Sequence, residues 1–369
     1  MKQQNNIIIK ELSLYYNWKP ATLKSYTLLL NKYSTYHNMT LQELIQEAEQ
    51  DEEKINKVNK RKIRKRLLDY IMHEKQTNQD TTIKQYILQI QKMYKHYDID
   101  IPRLPPLTAK PKYETFEQIP NKEIIKDILL HVNLQMKAII TTLASSGLRI
   151  SDLCNLKIKD FKESISKYTS NVNIITILYE LEKKDELIIP RWHINSKKTD
   201  IPYITFSSDE SLRLTIKYLQ QRIMKEELTD NDYLFGYKLS PSLITRFARI
   251  NDNLNLGRIN DKRFLHAHVL RKYFISTLYN SGVDYLCVEF LAGHTVPPIQ
   301  ATYYKANPDY LQQVYLEHLA EFTFINELNI VNLDISTAEK EELEELRLYK
   351  EEMDARLEHL EKLIKSVLD

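Results

Sequence analysis

Residues 266–304, HAHVLRKYFISTLYNSGVDYLCVEFLAGHTVPPIQATYY, combine histidines, an arginine and two adjacent tyrosines in one short stretch. His268 and Arg271 lie three positions apart, which places both on one face of a helix. His294 follows a glycine, and Tyr303 follows His294 by nine residues. An imidazole, a guanidinium and a phenol threaded through helical apolar spacing indicate a site.

Two further cations stand upstream of this stretch. Arg149 follows a glycine turn in ASSGLRISDLCNL, and Lys198 lies in a predicted turn, KKTD. Breaking and rejoining a phosphodiester without metal needs a nucleophile, fixed cations on the non-bridging oxygens and an acid for the departing oxygen. A guanidinium suits such oxygens because its planar fork donates two hydrogen bonds at once. Each signal alone is also typical of an ordinary surface or structural residue.

The elements that would hold these side chains are mainly helical. A helix is predicted to end at Gly147, a C-cap candidate, and a short one to begin at Ser151. β-Branched residues over 171–178 and 186–194, and a turn followed by residues 201–206, predict a small sheet. Further helices are predicted over 209–227 and from Ser240.

The front of the chain shows helix patterns beginning near residues 20, 40, 58 and 80, which predict a four-helix domain over 1–104. In the third pattern, six of the seven residues from 60 to 66 are basic. We expect them to contact phosphates, the alternative being a solvated face. The expected DNA-binding residues are Lys60, Arg61, Lys62, Arg64, Lys65 and Arg66.

Composition supports two mainly helical domains. The chain has 369 residues, with 5 glycines and 12 prolines, and five of those prolines fall within residues 101–120. Proline fixes φ and disfavours helix before it, so residues 105–120 are predicted to be a linker. Cys154 and Cys287 lack metal-ligand spacing, and we interpret both as reduced core residues.

Charge is unevenly distributed along the chain. Residues 1–110 carry 19 Lys+Arg against 12 Asp+Glu, whereas residues 337–369 carry 6 against 11. A basic front half is the electrostatic footprint of a polyanion partner. No apolar run is long enough to cross a bilayer and residues 1–10 lack a signal peptide's apolar core, so we expect a cytoplasmic protein without a membrane partner.

Four segments, in this order, resemble the tyrosine recombinases, the family of phage and archaeal integrases. SGLRISDLCNLKIKDF is similar to the family's first-arginine box, and NSKKTDIPYITFSSDESL to its hairpin lysine with the following strand. HAHVLRKYFISTLYNSGVDYLCVEFLAGH is similar to the His-x-x-Arg box running into the Leu-Gly-His box, and TVPPIQATYYK to the tyrosine segment. The front domain is similar to the family's core-binding domain in size and order only.

The resemblance implies that Tyr303 attacks the scissile phosphate, forming a 3′-phosphotyrosine bond and leaving a free 5′-hydroxyl. Lys198 would protonate the leaving oxygen. Two alternatives stay open, because Tyr304 is adjacent to the nine-residue position and Lys197 is adjacent to Lys198. No cofactor is expected, because the phosphotyrosine keeps the bond energy.

The same resemblance assigns the anion-binding roles. Arg149 and Arg271 would clamp the non-bridging oxygens, while His268 and His294 would hydrogen-bond the phosphate or assist proton transfer. This chain has Leu-Ala-Gly-His where the family usually has Leu-Gly-His. His266 falls outside the motif and is expected to be a loop or surface residue.

The tail, residues 337–369, shows apolar residues alternating three and four apart, which predicts a heptad helix. It forms either a coiled coil between protomers or an amphipathic helix packed on its own domain. Relatives of this type act as tetramers on two duplexes, so a homotetramer on double-stranded DNA is the implied assembly.

These observations predict a mainly α protein with a small antiparallel β-sheet: an all-α core-binding domain, a catalytic domain over 121–336 and the helical tail. The predicted function is site-specific DNA recombination or integration, with strand exchange through a Holliday junction. The alternatives are DNA relaxation of the type IB topoisomerase kind, and a non-catalytic DNA-binding accessory protein of the same fold.

Overall fold

The computed structural model describes residues 2–107, 115, 118–196, 200–238, 240–260, 262–296 and 307–325. The chain divides into two compact units, Met1–Tyr113 and Glu114–Asp369. Most described residues are helical, and the strands form two antiparallel pairs. The predicted fold class, mainly α with a small antiparallel sheet, is confirmed.

The front unit packs its helices around buried tyrosines. Tyr33, Tyr70 and Tyr94 are fully buried, and the hydroxyls of Tyr33 and Tyr94 lie 3.2 Å apart. A short 3₁₀ turn at Val58–Lys60 precedes the fourth helix. The helices are α1 Lys2–Tyr15, α2 Pro20–Tyr36, α3 Leu41–Lys54, α4 Lys62–Glu74 and α5 Asp80–His96.

Helix α1 was not among the predicted elements. Its apolar residues Ile8, Ile9 and Leu12 are buried, and the Asn5 side chain accepts the Leu41 backbone N–H at 2.8 Å. Both features depend on contacts with later helices. The local sequence NNIIIKEL therefore carries little signal of its own.

The second unit is built around a buried helix, α7, which contacts α11 and α13. Its helices are α6 Lys122–Leu130, α7 Leu134–Ser146, α8 Ile150–Asn155, α9 Ile158–Ser164, α10 Ile174–Glu182, α11 Asp209–Ile223, α12 Ser240–Asn253, α13 Ala267–Asn280, α14 Tyr285–Ala292 and α15 Pro308–Glu317. Its strands are β1 Arg191–Asn195, β2 Pro202–Phe206, β3 Arg258–Ile259 and β4 Lys262–Arg263. A 3₁₀ turn, Leu319–Phe322, follows α15.

The first predicted strand region, residues 171–178, is wrong. Most of it belongs to helix α10, which begins where the Asn173 side chain accepts the backbone N–H groups of Ile175 and Thr176. Its buried residues recur at helical spacing against the core: Ile174, Ile177, Leu178 and Leu181. The N-cap and this period outweigh the β-preference of the branched side chains.

The hairpin β1–β2 is the predicted sheet. Arg191 stands opposite Phe206, and Asn195 opposite Pro202. The Thr205 hydroxyl donates to the Ser146 carbonyl at 2.7 Å, which fixes β2 against the end of α7. The hairpin is therefore held beside the turn that follows α7.

Gly147 caps α7 in the left-handed conformation, with φ +62°, as predicted. A Cβ atom there would lie 2.3 Å from the Phe274 ring. Any larger residue would therefore push α13 away from α7. The cap sets the distance between the helix that leads to Arg149 and the helix that carries Arg271.

The predicted heptad tail, residues 337–369, lies outside the described residues, as does most of the predicted linker. Both remain predictions. Within the described part of the chain, no helix is long and apolar enough to span a membrane.

Candidate active site

Arg149 stands at the start of α8, directly after the turn that caps α7. Its Nη2 donates to the Gly293 carbonyl at 2.7 Å, and its Nη1 lies 3.6 Å from Asp152 Oδ2. The Tyr203 ring centroid lies 5.9 Å from its Cζ. The guanidinium thus reaches from α8 to the C-terminal end of α14.

Arg271, on α13, approaches the same end of α14 and is only 2% exposed. Its two terminal nitrogens donate to the carbonyls of Gly147 and Ala292, each at 2.5 Å. Burial and the neighbouring Arg149 lower the pKa of Arg271 to about 10, so it stays protonated at neutral pH. Burying two guanidinium groups together is costly unless an anion joins them.

His294 completes the cluster. It follows Gly293, which ends α14 with φ +60° and at which a Cβ would lie 2.5 Å from the Tyr203 ring. His294 Nδ1 lies 3.1 Å from each carboxylate oxygen of Glu289. A carboxylate only accepts hydrogen bonds, so His294 donates through Nδ1. The site therefore joins the predicted residues Arg149, Arg271 and His294 at one helix end.

Asp152 supports this cluster and was not predicted as a site residue. Its carboxylate is buried, accepting from the Ser196 hydroxyl at 3.3 Å and from the Tyr203 hydroxyl at 3.2 Å. Burial, followed by the Asp152 charge, raises the pKa of Tyr203, so its hydroxyl remains a donor. Ser196 directly follows β1 and Tyr203 lies on β2, so Asp152 ties this hairpin to α8.

The predicted acid and nucleophile lie outside the described residues. Lys197 and Lys198 fall within residues 197–199, and Tyr303 and Tyr304 fall within residues 297–306. The residues next to these two segments are described. The Ser196 hydroxyl donates a hydrogen bond to Asp152. The Asn307 side chain caps α15 by accepting the Asp309 backbone N–H.

His268 is exposed in the first turn of α13, on the same helix as Arg271. Its ring centroid lies 6.5 Å from that of His266. His266 is half-buried before α13, with Nδ1 3.0 Å from the Arg263 carbonyl, and burial lowers the pKa of His266. His266 is thus held by the preceding chain, and His268 is the more exposed of the two histidines.

The basic segment of the front unit divides into two groups. Arg61 is buried, pairing with Glu52 and, at 3.8 Å, with Asp100. Arg66 forms two bonds with the Glu47 carboxylate. The rest are exposed or half-buried: Lys60, Lys62, Arg64 and Lys65.

No group of three or more His, Cys, Asp or Glu side chains is placed to hold a metal ion in the described parts of either unit. The polar groups at the end of α14 are instead guanidinium and imidazole donors. Such a set suits an anionic oxygen.

Comparison with known proteins identifies the class. A family model described as the phage integrase family matches residues 121–309, which include α6 to α14 and every candidate residue of the site. The chain therefore belongs to this family, the tyrosine recombinases, which are DNA strand transferases. The predicted family is confirmed.

Individual relatives are more distant. A probable integrase/recombinase of Acholeplasma phage L2 is 27% identical over 82% of this chain and 95% of its own length. Tyrosine recombinase XerC of Bacillus pumilus is 24% identical, and the match spans 56% of this chain and 61% of that protein. The second match thus leaves over a third of that relative uncovered.

Solved structures share the fold at low identity. XerH site-specific recombinase, bound to a palindromic difH substrate in a post-cleavage complex, matches with a TM-score of 0.53 at 16% identity, covering 85% of this chain and 83% of that one. The Tn1549 transposon integrase in complex with circular intermediate DNA matches with a TM-score of 0.51 at 17% identity, covering 85% and 99%. At these low identities, the two similarities show a shared fold and nothing more.

Proposed function

We propose that the chain is a site-specific recombinase that cuts and rejoins double-stranded DNA through a 3′-phosphotyrosine intermediate. The observation that carries the proposal is the positive charge at the end of α14. Asp152 is the only carboxylate of the described residues within 4.0 Å of either guanidinium of Arg149 and Arg271. Arg149 Nη1 is buried without a hydrogen-bond partner among those residues. A phosphodiester supplies both the missing acceptor and the missing charge.

The proposed reaction uses the family roles. The Tyr303 oxygen attacks phosphorus, and the bond from phosphorus to the 5′ oxygen breaks. Lys198 gives its proton to that oxygen, while a histidine, His294 or His268, accepts the phenol proton. The two arginines stabilise the charge on the non-bridging oxygens of the transition state. Attack by a 5′-hydroxyl of another duplex reverses the step and transfers the strand.

Two finer features belong to the same proposal. Strand exchange proceeds through a Holliday junction, and a homotetramer holds the two duplexes. The two structural neighbours, one bound to a difH substrate and the other in complex with circular intermediate DNA, support DNA as the partner of this chain. The exposed lysines at 60, 62 and 65 are the front unit's proposed phosphate contacts.

Covalent trapping tests the proposal. A duplex site is first selected from a random pool by binding to the purified protein. It is then nicked so that the cleaved end diffuses away and the adduct persists. We expect a protein–DNA adduct on a denaturing gel with wild type and Tyr304→Phe, and none with Tyr303→Phe. Joining of two labelled duplexes then separates recombination from DNA relaxation.

The results of this experiment distinguish the alternative nucleophile from the alternative function. An adduct that survives Tyr303→Phe and disappears with Tyr304→Phe would move the nucleophile by one residue. Binding to the selected site with no wild-type adduct would overturn the catalytic proposal in favour of a DNA-binding accessory protein.

A further inference from the structure

Glu289 is a charged side chain whose place the family roles leave unexplained. It lies on α14 five residues before His294 and is 9% exposed. Both carboxylate oxygens lie 3.1 Å from His294 Nδ1, and its backbone carbonyl accepts the His294 N–H at 3.0 Å. The ring and the main chain of His294 are therefore both hydrogen-bonded to Glu289.

A third group fixes the carboxylate itself. The Tyr279 hydroxyl, from α13, donates to Glu289 Oε1 at 2.6 Å. Burial and the Glu289 carboxylate raise the pKa of Tyr279, so the phenol keeps its proton and remains a donor. A buried carboxylate is costly unless hydrogen bonds satisfy it, and here Tyr279 of α13 and His294, which follows α14, supply them.

This arrangement has a chemical consequence for His294. A neutral imidazole carries one proton, and a hydrogen-bond acceptor at one nitrogen decides which nitrogen holds it. With the carboxylate at Nδ1, the proton stays there and Nε2 is the unprotonated nitrogen. The same carboxylate stabilises the imidazolium that forms if Nε2 takes up a proton.

We infer that Glu289 is a positioning residue that holds His294 with Nδ1 protonated, so that Nε2 exchanges the proton at the reacting phosphate. The expected effect on the cleavage rate rests on the proposed function. The expected tautomer of His294 does not depend on it. His294 is 34% exposed at a helix end, where an unheld ring would rotate. Glu289 removes that freedom and selects the reactive nitrogen.

Glu289→Gln is the discriminating substitution. The amide keeps the size of the side chain but is neutral, and its N–H₂ group can donate to Nδ1 and favour the other tautomer. The matched control is Glu163→Gln, because Glu163 also faces a histidine, His193, at 3.8 Å, but is 61% exposed. Both variants remove one charge from a Glu–His pair.

The first measurement is made on the protein without DNA. With ¹⁵N-labelled histidine and the His294 signal assigned by His294→Ala, the ring ¹⁵N shifts distinguish protonated from unprotonated nitrogens. We expect Nδ1–H in wild type and in Glu163→Gln, and a shift toward Nε2–H in Glu289→Gln. A wild-type His294 protonated on Nε2 alone would overturn the inference, whether or not the protein cleaves DNA.

The second readout is single-turnover cleavage of the nicked duplex. We expect Glu289→Gln to slow adduct formation about 10- to 100-fold, the usual effect of losing a partner that orients a functional histidine. In a His294→Ala background the same change should have little further effect, because Glu289 acts through that ring. An equal loss in both backgrounds would indicate a structural role and contradict the inference. Wild type that never cleaves would count against the proposed function instead.

Discussion

The two units each bury an arginine, and the charge of that arginine is balanced differently in each. Arg271 of the second unit is 2% exposed and donates to two backbone carbonyls. Arg61 of the front unit is 7% exposed and pairs with the carboxylates of Glu52 and Asp100. Burial is almost the same, so the kind of partner is what differs.

The partners decide how much charge is left over. A carbonyl oxygen satisfies a guanidinium N–H but brings no net negative charge, whereas a carboxylate cancels the cation. Arg271 therefore retains a positive charge in a buried place, beside Arg149. Arg61 is neutralised within its own unit, which suits a structural role.

The largest expected effect comes from exchanging each arginine for lysine. Arg271→Lys keeps the charge but loses the planar fork, and we expect adduct formation to fall about 10²- to 10³-fold. Arg61→Lys should leave the rate within about 3-fold, because Arg61 is paired with carboxylates of the front unit and is not part of the site at the end of α14. Quenched-flow trapping of the adduct measures both.

Binding and folding must be checked for these two variants. Thermal unfolding and band shifts with the selected duplex give the fraction of folded, DNA-bound protein. Equal loss of cleavage from both variants, with folding intact, would remove the distinction between the two units.

The sequence predicts the site where one local motif carries the signal. A glycine cap before Arg149, and the three-residue step from His268 to Arg271, are properties of neighbouring residues. No local motif marks Asp152 or Glu289, because their roles depend on hydrogen bonds to residues of other elements, Tyr203 and Tyr279. Contacts between separate elements are set by packing, which local patterns do not contain.

The fold shows the same limit. Helices whose apolar residues recur at helical spacing, such as α2 and α5, could be predicted from the sequence. Helix α10 could not, since its β-branched residues favour strand locally and only the Asn173 cap and burial against the core select helix. Helix α1 was missed because its buried face is defined by α2 and α3.

Glu210 extends the comparison to a buried carboxylate with backbone partners. It accepts the N–H groups of Phe324 and Ile325, at 2.7 and 2.5 Å. Burial raises its pKa from 4.5 to about 7 in the folded protein. Since the folded pKa exceeds the unfolded one, its stabilising contribution is complete below about pH 4.5 and is lost as the pH rises through 7.

We expect the free energy of unfolding of wild type to fall between pH 5 and 7 by roughly 2 kcal/mol more than that of Glu210→Gln, which cannot ionise. Urea unfolding across this pH range measures the difference in slope. Glu163→Gln, an exposed carboxylate, should follow wild type. Parallel curves for wild type and Glu210→Gln would show that the backbone N–H groups offset the cost of burying the charge.

The smallest expected effect concerns the exposed lysines of the front unit. Their side chains reach solvent, although Lys62 Nζ also lies 3.5 Å from Glu47, whereas Arg61 is buried against its carboxylate partners. Replacing Lys60, Lys62 and Lys65 by alanine should weaken binding to any duplex and lower the slope of log affinity against log salt by up to about 2.7, or 0.9 per lost phosphate contact. Fluorescence anisotropy at several salt concentrations measures this slope.

A control that removes the same charge elsewhere separates contact from net charge. Alanine at tail lysines 350, 362 and 365 lowers the net charge equally. If Lys60, Lys62 and Lys65 contact phosphates, their replacement changes the slope and the tail replacement does not. Equal slopes in the two triple variants would mean that the front segment acts only through overall charge. The basic run at residues 60–66 would then serve folding, through Arg61 and Arg66, rather than DNA.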